Sequence, residues 1–169
     1  MVTPRIVGAD LALRHGAIVD AQGNIIFVYL SPNGMNSSVE SIYARSFEAA
    51  KALPENCIVV CDWDRTISSW GGKKRTNVSV GTLLTLITYG FAIMARLLKQ
   101  SQVQFVSPSA VREALGLPPQ TSKEDVHKYT KNIWPVTLQN PKFHPHKDIR
   151  GDCIDAWLLA STYHHTRDK

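Results

Sequence analysis

The segment that most constrains the fold is Cys57-Ile-Val-Val-Cys61, an uninterrupted apolar run that ends at Asp62. A strand with one solvent-facing side would place a polar residue at every second position, so this run suits a strand buried on both faces. Burial on both faces requires further layers on each side of a sheet. The run therefore predicts a layered α/β protein.

The other segments agree with this class. Residues 5–9 form a short apolar run ending at Asp10, residues 12–19 and 25–30 are rich in strand-forming residues, and the turn signal Asp20-Ala-Gln-Gly-Asn24 separates the last two. Further patterns predict helices over 39–53, 78–100, 108–115, 121–133 and 149–164, a strand over 103–106, and loops over 31–38, 63–77 and 134–148. The order predicts one domain, residues 1–169, with a mixed α/β sheet whose antiparallel meander lies at one side.

Charge and cysteine content narrow the function classes. The net charge of +5 and the isoelectric point near 9.2 favour a polyanionic partner, although a generally basic soluble protein has the same balance. Cys57, Cys61 and Cys153 form no C-x-x-C pair and lie among apolar residues. They are expected to be buried free thiols, which suits a reducing cytoplasm. Met1–Asp10 lacks the pattern of a secretion signal.

The long helix over 78–100 needs a comparison with membrane spans. No charged residue lies between Arg75 and Arg96, a gap long enough to cross a bilayer. Thr82, Thr85 and Thr88 nevertheless recur at every third position, and a polar stripe beside an apolar face is typical of a buried or interface helix. We therefore expect no membrane association.

Four aspartates are the candidate functional residues. Asp10 and Asp62 each end an apolar strand, where a single acidic residue is often only a turn or cap residue. Asp152 and Asp155 have the spacing that places two side chains on one helix face, although acidic first turns are common in helices. Carboxylates gathered from separate elements repel one another, and hard divalent cations offset that repulsion. A pair of such ions can drive phosphodiester hydrolysis.

At this point the sequence resembles the RuvC-type Holliday junction resolvases of the RNase H-like superfamily. The resembling segments are Ile6–Asp10, Ile58–Asp62, Ser107–Gly116 with its Pro-x-x-Val-Arg pattern, Lys123 ahead of Asp125-Val126, and Asp152-Cys-Ile-Asp-Ala-Trp-Leu-Leu-Ala160. Each motif alone is weak, but their order and spacing match over nearly the whole chain.

The resemblance implies an RNase H-like mixed five-stranded sheet flanked by helices. It implies an endonuclease, a homodimer that nicks two strands of a four-way DNA junction symmetrically. Catalysis would require two magnesium ions, for which manganese can substitute, held by Asp10, Asp62, Asp152 and Asp155. No small-molecule cofactor is expected, and the enzyme would act in the cytoplasm of a bacterial or phage-infected cell. The apolar helix 78–100 is the candidate dimer interface, although burial within one subunit would explain its apolar character equally well.

Two positions depart from the family pattern. Asp62 stands where glutamate is usual, and Asp64 would share its strand face, so either could be the second carboxylate; we favour Asp62. Arg112 stands where a lysine is usual, which keeps the charge and changes the geometry. Lys123 and Arg112 are expected to hold the scissile phosphate or to stabilise its charge.

A basic loop supplies further candidates for DNA binding. Lys73, Lys74 and Arg75 follow two glycines and are expected to contact phosphates, with a solvated charge cluster as the alternative. Trp70 is a candidate for stacking on an unpaired base, and packing on the core is its alternative.

Other metal sites are not favoured. The histidines of His144-Pro-His146 and the pair His164-His165 lack cysteine or carboxylate partners at ligand spacing.

Two other functions remain open. The same fold could cut RNA, flaps or replication forks instead of four-way junctions. A binding module for branched DNA without activity would need a degraded carboxylate set, and every expected position is acidic here.

Overall fold

The computed structural model describes residues 4–31, 38–62, 77–140 and 142–166, with the backbone alone for residues 39 and 77–82. The elements are β1 (Ile6–Leu11), β2 (His15–Asp20), β3 (Ile25–Leu30), α1 (Val39–Lys51), β4 (Ile58–Asp62), α2 (Asn77–Lys99), β5 (Gln102–Val106), α3 (Pro108–Ala114), α4 (Lys123–Thr130), a 3-10 turn (Lys131–Ile133), α5 (Val136–Gln139), α6 (Lys147–Ser161) and α7 (Tyr163–Thr166).

The five strands form one mixed sheet in the order β3-β2-β1-β4-β5. The first three strands pair antiparallel as a meander, and β4 and β5 extend the sheet in parallel to β1. The predicted fold class is therefore confirmed, including the meander on one side. The run Ile58–Cys61 lies between β1 and β5, and it contains no polar position because helices cover both faces of the sheet there.

Helices cover both faces of the sheet. One face packs on α1 and α2 through buried residues such as Val59, Ala50 and Phe91. The opposite face packs on α6, where Ala156 and Leu159 meet Val60 and Val19. The three cysteines are free and buried, as predicted. In the part of the chain that is described, no helix has the length and apolarity needed to cross a bilayer.

Gly8 allows α6 to approach β1 more closely than any other residue type would. A Cβ atom at this position would lie 1.8 Å from the carbonyl oxygen of Ala156, well inside van der Waals contact. Side chains alternate along a strand, so Asp10 points to the same face as Gly8, which is the face that α6 covers. The close approach therefore brings the α6 helix next to the end of β1.

Several predicted boundaries were wrong. The helix predicted from Thr121 starts at Lys123, because Ser122 is the residue whose hydroxyl accepts from the Asp125 N–H. The segment 134–148, predicted as loop, contains α5 and the start of α6. The strand predicted over 12–19 begins only at His15, because the Ala12 N–H donates to the His15 carbonyl in a tight connection from β1.

Candidate metal and phosphate site

Asp10 and Asp62 lie side by side at the carboxyl ends of two parallel strands. The register pairs Ala9 of β1 with Cys61 of β4, so the aspartates that follow stand at the same level. Asp62 is also level with Val106, the last residue of β5. The sequence order alone could not fix this register, because it depends on how far each strand slides along its neighbour.

Asp152 and Asp155 come from the first half of α6. Asp152 lies one turn before Ala156, on the helix face that contacts Gly8, and only 4% of its surface is exposed. Asp155 has a side chain that is 24% exposed. It lines a cleft together with Asp10, Asp62, Arg112 and Lys123, whose floor is apolar: Pro108, Val111, Val126, Leu158 and Leu159.

The carboxylates strongly influence one another. Burial, followed by the negative charges of Asp155 and Asp152, raises the pKa of Asp10 well above its ordinary value. Burial also raises the pKa of Asp152, although a hydrogen bond from His15 acts in the opposite direction. Such an arrangement disfavours full ionisation unless a cation lies nearby.

Lys123 is the cation that faces these carboxylates. Its ammonium group forms an ion pair with Asp155 Oδ2. Burial lowers the pKa of Lys123, but the charges of Asp155 and Asp10 outweigh that effect and raise it overall. Lys123 is therefore held in its charged form beside the cleft. Arg112, on α3, lines the same cleft, and its buried Nε has no hydrogen-bond partner among the described residues.

Two histidines that the sequence analysis did not single out bind the α6 carboxylates. His15 Nδ1 lies 2.5 Å from Asp152 Oδ2, and His127 Nε2 lies 2.6 Å from Asp155 Oδ1. His127 follows Lys123 by four residues on α4, so both side chains lie on one helix face. That spacing is the one signal in the sequence that could have identified His127.

The donor set suits a hard divalent cation, but not in its present side-chain conformations. All four aspartates offer carboxylate oxygens, the donors that magnesium prefers, and their mutual repulsion would be relieved by a positive ion. Among the described residues, no three His, Cys, Asp or Glu side chains are close enough together to hold a metal ion. Binding would require rotation of side chains, including release of Asp155 Oδ2 by Lys123.

The remaining predicted residues fall outside the described chain. Asp64, Trp70, Lys73, Lys74 and Arg75 all lie between residues 63 and 76, so the structure does not address the choice between Asp62 and Asp64 or the role of the basic loop.

Comparisons with known proteins identify the fold. No protein-family model matches the chain, and no curated protein matches its sequence. Solved structures do match. Thermus thermophilus RuvC is 16% identical over 95% of this chain and 93% of that chain, with a TM-score of 0.58. T. thermophilus RuvC in complex with a Holliday junction substrate is 16% identical over 96% of this chain and 94% of that chain, with a TM-score of 0.57.

A second resolvase gives a similar result. The yeast mitochondrial Holliday junction resolvase Ydc2 is 14% identical over 96% of this chain and 78% of that one, with a TM-score of 0.62. The chain therefore has the RNase H-like fold of the RuvC-type resolvases, as the sequence resemblance implied.

Proposed function

We propose that this chain is a metal-dependent endonuclease that cuts four-way DNA junctions. The observation that carries the proposal is the cleft in which Asp10, Asp62 and Asp155 meet Lys123 and Arg112. A cleft lined by carboxylates alone would repel a phosphate, whereas this cleft places the cationic side chains of Arg112 and Lys123 beside the carboxylates. The same fold in T. thermophilus RuvC has been solved with a Holliday junction substrate, which supports DNA as the ligand.

Asp10, Asp62, Asp152 and Asp155 would hold two magnesium ions, with manganese as a substitute. Bound magnesium supplies Lewis acidity, which activates water for attack on phosphorus and stabilises the leaving oxygen. Arg112 and Lys123 bind the scissile phosphate from the side of α3 and α4. Lys123 can take this role once Asp155 is released, because its charge is then available to the phosphate.

The basic segment predicted from the sequence would extend the proposed DNA surface. Lys73, Lys74 and Arg75 contact the phosphates of the junction arms, and Trp70 stacks on a base at the crossover. These contacts add affinity without base specificity, since phosphates carry no sequence information.

A homodimer would match the two-fold symmetry of a four-way junction. One face of α2 packs on the protein core through Ile87, Phe91 and Ala95. The α2 outer face carries the exposed apolar residues Leu86, Tyr89, Ile93 and Leu97. Their spacing of three and four residues makes one continuous stripe along the helix. We propose that a second copy of this chain covers the α2 outer face.

The proposal is tested by incubating the protein with a synthetic four-way junction, a linear duplex and a splayed fork, with and without magnesium or manganese. Metal-dependent paired nicks on the junction, at symmetric positions, are the expected result. Equal rates on the fork or the duplex would refute junction selectivity and leave a general nuclease. Tight junction binding without cleavage in either metal would refute the enzyme and leave a binding module.

A further inference from the structure

Asp152 and Asp155, two of the carboxylates on α6, each have one oxygen bound by an imidazole. Asp152 Oδ2 accepts from His15 Nδ1, and Asp155 Oδ1 accepts from His127 Nε2. The two histidines come from different elements: His15 is the first residue of β2, and His127 lies on α4, four residues after Lys123. Two independent contacts of the same kind, on both α6 carboxylates proposed as metal ligands, call for a common explanation.

The His127 imidazole packs against an aromatic ring, and His15 is anchored through its strand. His127 lies edge-on against the Trp134 ring with 6.1 Å between centroids, and the Trp134 indole N–H donates to Thr130 Oγ1 at 3.0 Å. His15 has a side chain that is 28% exposed, and it is the first residue of β2, the strand that pairs with β1. Asp155 Oδ1 therefore cannot leave its imidazole without disturbing the packing of His127 on Trp134.

We propose that His15 and His127 are positioning residues that reserve one oxygen each of Asp152 and Asp155, so that these two aspartates bind metal through the other oxygen alone. This inference rests on the proposed metal-dependent function. A carboxylate held by one oxygen acts as a one-point ligand and leaves room for water and phosphate around the ion. An imidazole donor also fixes the direction of the remaining oxygen, as outer partners of metal ligands generally do.

The two oxygens of Asp155 have different partners, and this difference supports the proposal. Its Oδ2 is bound by Lys123, whose side chain is 55% exposed and flexible, whereas Oδ1 is bound by the packed His127. An incoming cation therefore displaces the lysine more easily than the imidazole. The histidine contact persists when metal binds, and the lysine contact is exchanged.

The test is metal binding without DNA, measured by the loss of the free Mn²⁺ signal in electron paramagnetic resonance. His15→Ala and His127→Ala are expected to weaken Mn²⁺ binding by about 10–100-fold, the usual effect of losing a partner of a metal ligand. The rescue variants retain an N–H donor at the required distance. His15→Asn places its amide where Nδ1 was, and His127→Gln places its amide where Nε2 was.

Each rescue variant should bind Mn²⁺ within a few-fold of the original protein. The exchanged variants, His15→Gln and His127→Asn, put the donor at the wrong distance and should resemble the alanine variants. His165→Gln is the matched control, since His165 is exposed near the end of the chain. Thermal unfolding of each variant identifies any that fail to fold, and the rescue comparison is made among folded variants.

The outcomes separate this inference from the proposed function. Normal Mn²⁺ affinity in both alanine variants, or rescue variants as weak as alanine, would overturn the positioning role and leave the metal site intact. Absence of Mn²⁺ binding by the original protein would overturn the metal site and this inference with it. Weak binding by the alanine variants with recovery in the matched amides supports the inference.

Discussion

Asp155 occupies the point where α4 and α6 meet over the cleft. It accepts from His127 and forms an ion pair with Lys123, so two side chains of one helix converge on it. A carboxylate in this position affects both the local charge and the binding of the proposed metal ion. Its replacement by an amide of the same size isolates the charge from the shape.

Asp155→Asn is expected to reduce junction cleavage by more than about 100-fold, because even an outer partner of a metal ligand contributes up to that factor. Junction binding should remain, since Arg112, Lys123 and the predicted basic loop are unchanged. Cleavage of a labelled junction and a gel-shift titration measure the two properties. Asp148→Asn is the control, because Asp148 is an exposed carboxylate in the first turn of the same helix. Undiminished cutting by Asp155→Asn would remove this residue from the site.

At the residue scale, the sequence predicted the acidic residues better than their partners. Asp10, Asp62, Asp152 and Asp155 were recognisable because each sits at a characteristic place in a strand or helix pattern. His15 was not recognisable, because its partner Asp152 lies 137 positions away in the chain. Contacts of that range depend on the packing of α6 over β2, which no local pattern contains.

At the scale of elements, the contact between β1 and α6 determines the geometry of the site. Gly8→Ala is expected to destabilise the protein by roughly 1–3 kcal/mol, the usual effect of overpacking, because its Cβ would overlap the backbone of Ala156. Moving α6 outward would also shift Asp152 and Asp155 away from Asp10, so cleavage should fall. Urea unfolding and junction cleavage measure both effects.

Gly151→Ala provides the matched control on α6 itself. A Cβ at this position meets no atom within 4 Å, and alanine is a better helix former than glycine. This variant should gain about 0.5–1 kcal/mol. Equal stability of the two variants would contradict the close approach at Gly8.

The turn between β2 and β3 gives a prediction about pH. Burial alone would raise the pKa of Asp20. Hydrogen bonds from Arg5 and Asn24 outweigh burial and lower this pKa below its ordinary value of 3.8. A lowered folded-state pKa means that the carboxylate stabilises the fold above the unfolded pKa and loses this contribution as pH falls through the folded pKa. Asp20→Asn should therefore be less stable than the original protein at pH 7 by about 1–3 kcal/mol.

The stability difference should begin to shrink as pH falls below 3.8, where Asp20 of the unfolded chain takes up a proton, and it should be lost as pH falls through the lower pKa of the folded state. Urea unfolding of both proteins at pH 7 and at about pH 3 measures it. A stability difference that stays constant between pH 7 and about pH 3 would show that the charge on Asp20 does not stabilise the fold. The loss at pH 7 follows from the buried Asp20 Oδ2, which accepts from the Arg5 guanidinium and the Asn24 side-chain amide and which the variant replaces with an NH2 donor.

Element boundaries were predicted less well than element types. Thr121 and Ser122 are both good N-cap residues, and only the structure shows that Ser122 accepts from the backbone while Thr121 donates to the Pro118 carbonyl. The last predicted helix divides at Thr162, whose hydroxyl donates to Leu158 O, and α7 follows. Choices between neighbouring residues of equal propensity are decided by packing.

At the scale of the whole molecule, the α2 outer face predicts the assembly. Ile93→Glu and Leu97→Glu place charges on residues that are 53% and 73% exposed in one chain, so folding should be little affected. We expect both variants to be monomers by light scattering and to make single nicks in place of paired ones. Val136→Glu is the control, since Val136 is 83% exposed and lies on α5. Dimers in all three variants would exclude the α2 outer face as the interface.

The overall arrangement was predictable because several signals agreed. The apolar run ending at Asp62 predicted a strand covered on both faces, and the turn signal at Asp20 predicted the antiparallel meander. The side of α2 that faces outward was not predictable, because the helix is apolar around most of its circumference. Only its packing against α1 leaves Ile93 and Leu97 exposed.

The distribution of the aspartates along the chain has a consequence for biosynthesis. Asp10 and Asp62 are translated early, whereas α6 leaves the ribosome near the end of the described chain. A nascent chain without α6 has only two of the four carboxylates, and the apolar face of its central strands lacks the helix that covers it. Domains fold during synthesis from the N-terminus. Under the proposed function, the metal site is therefore complete only after α6 has been synthesised, and a chain that stops before α6 lacks two of the four carboxylates.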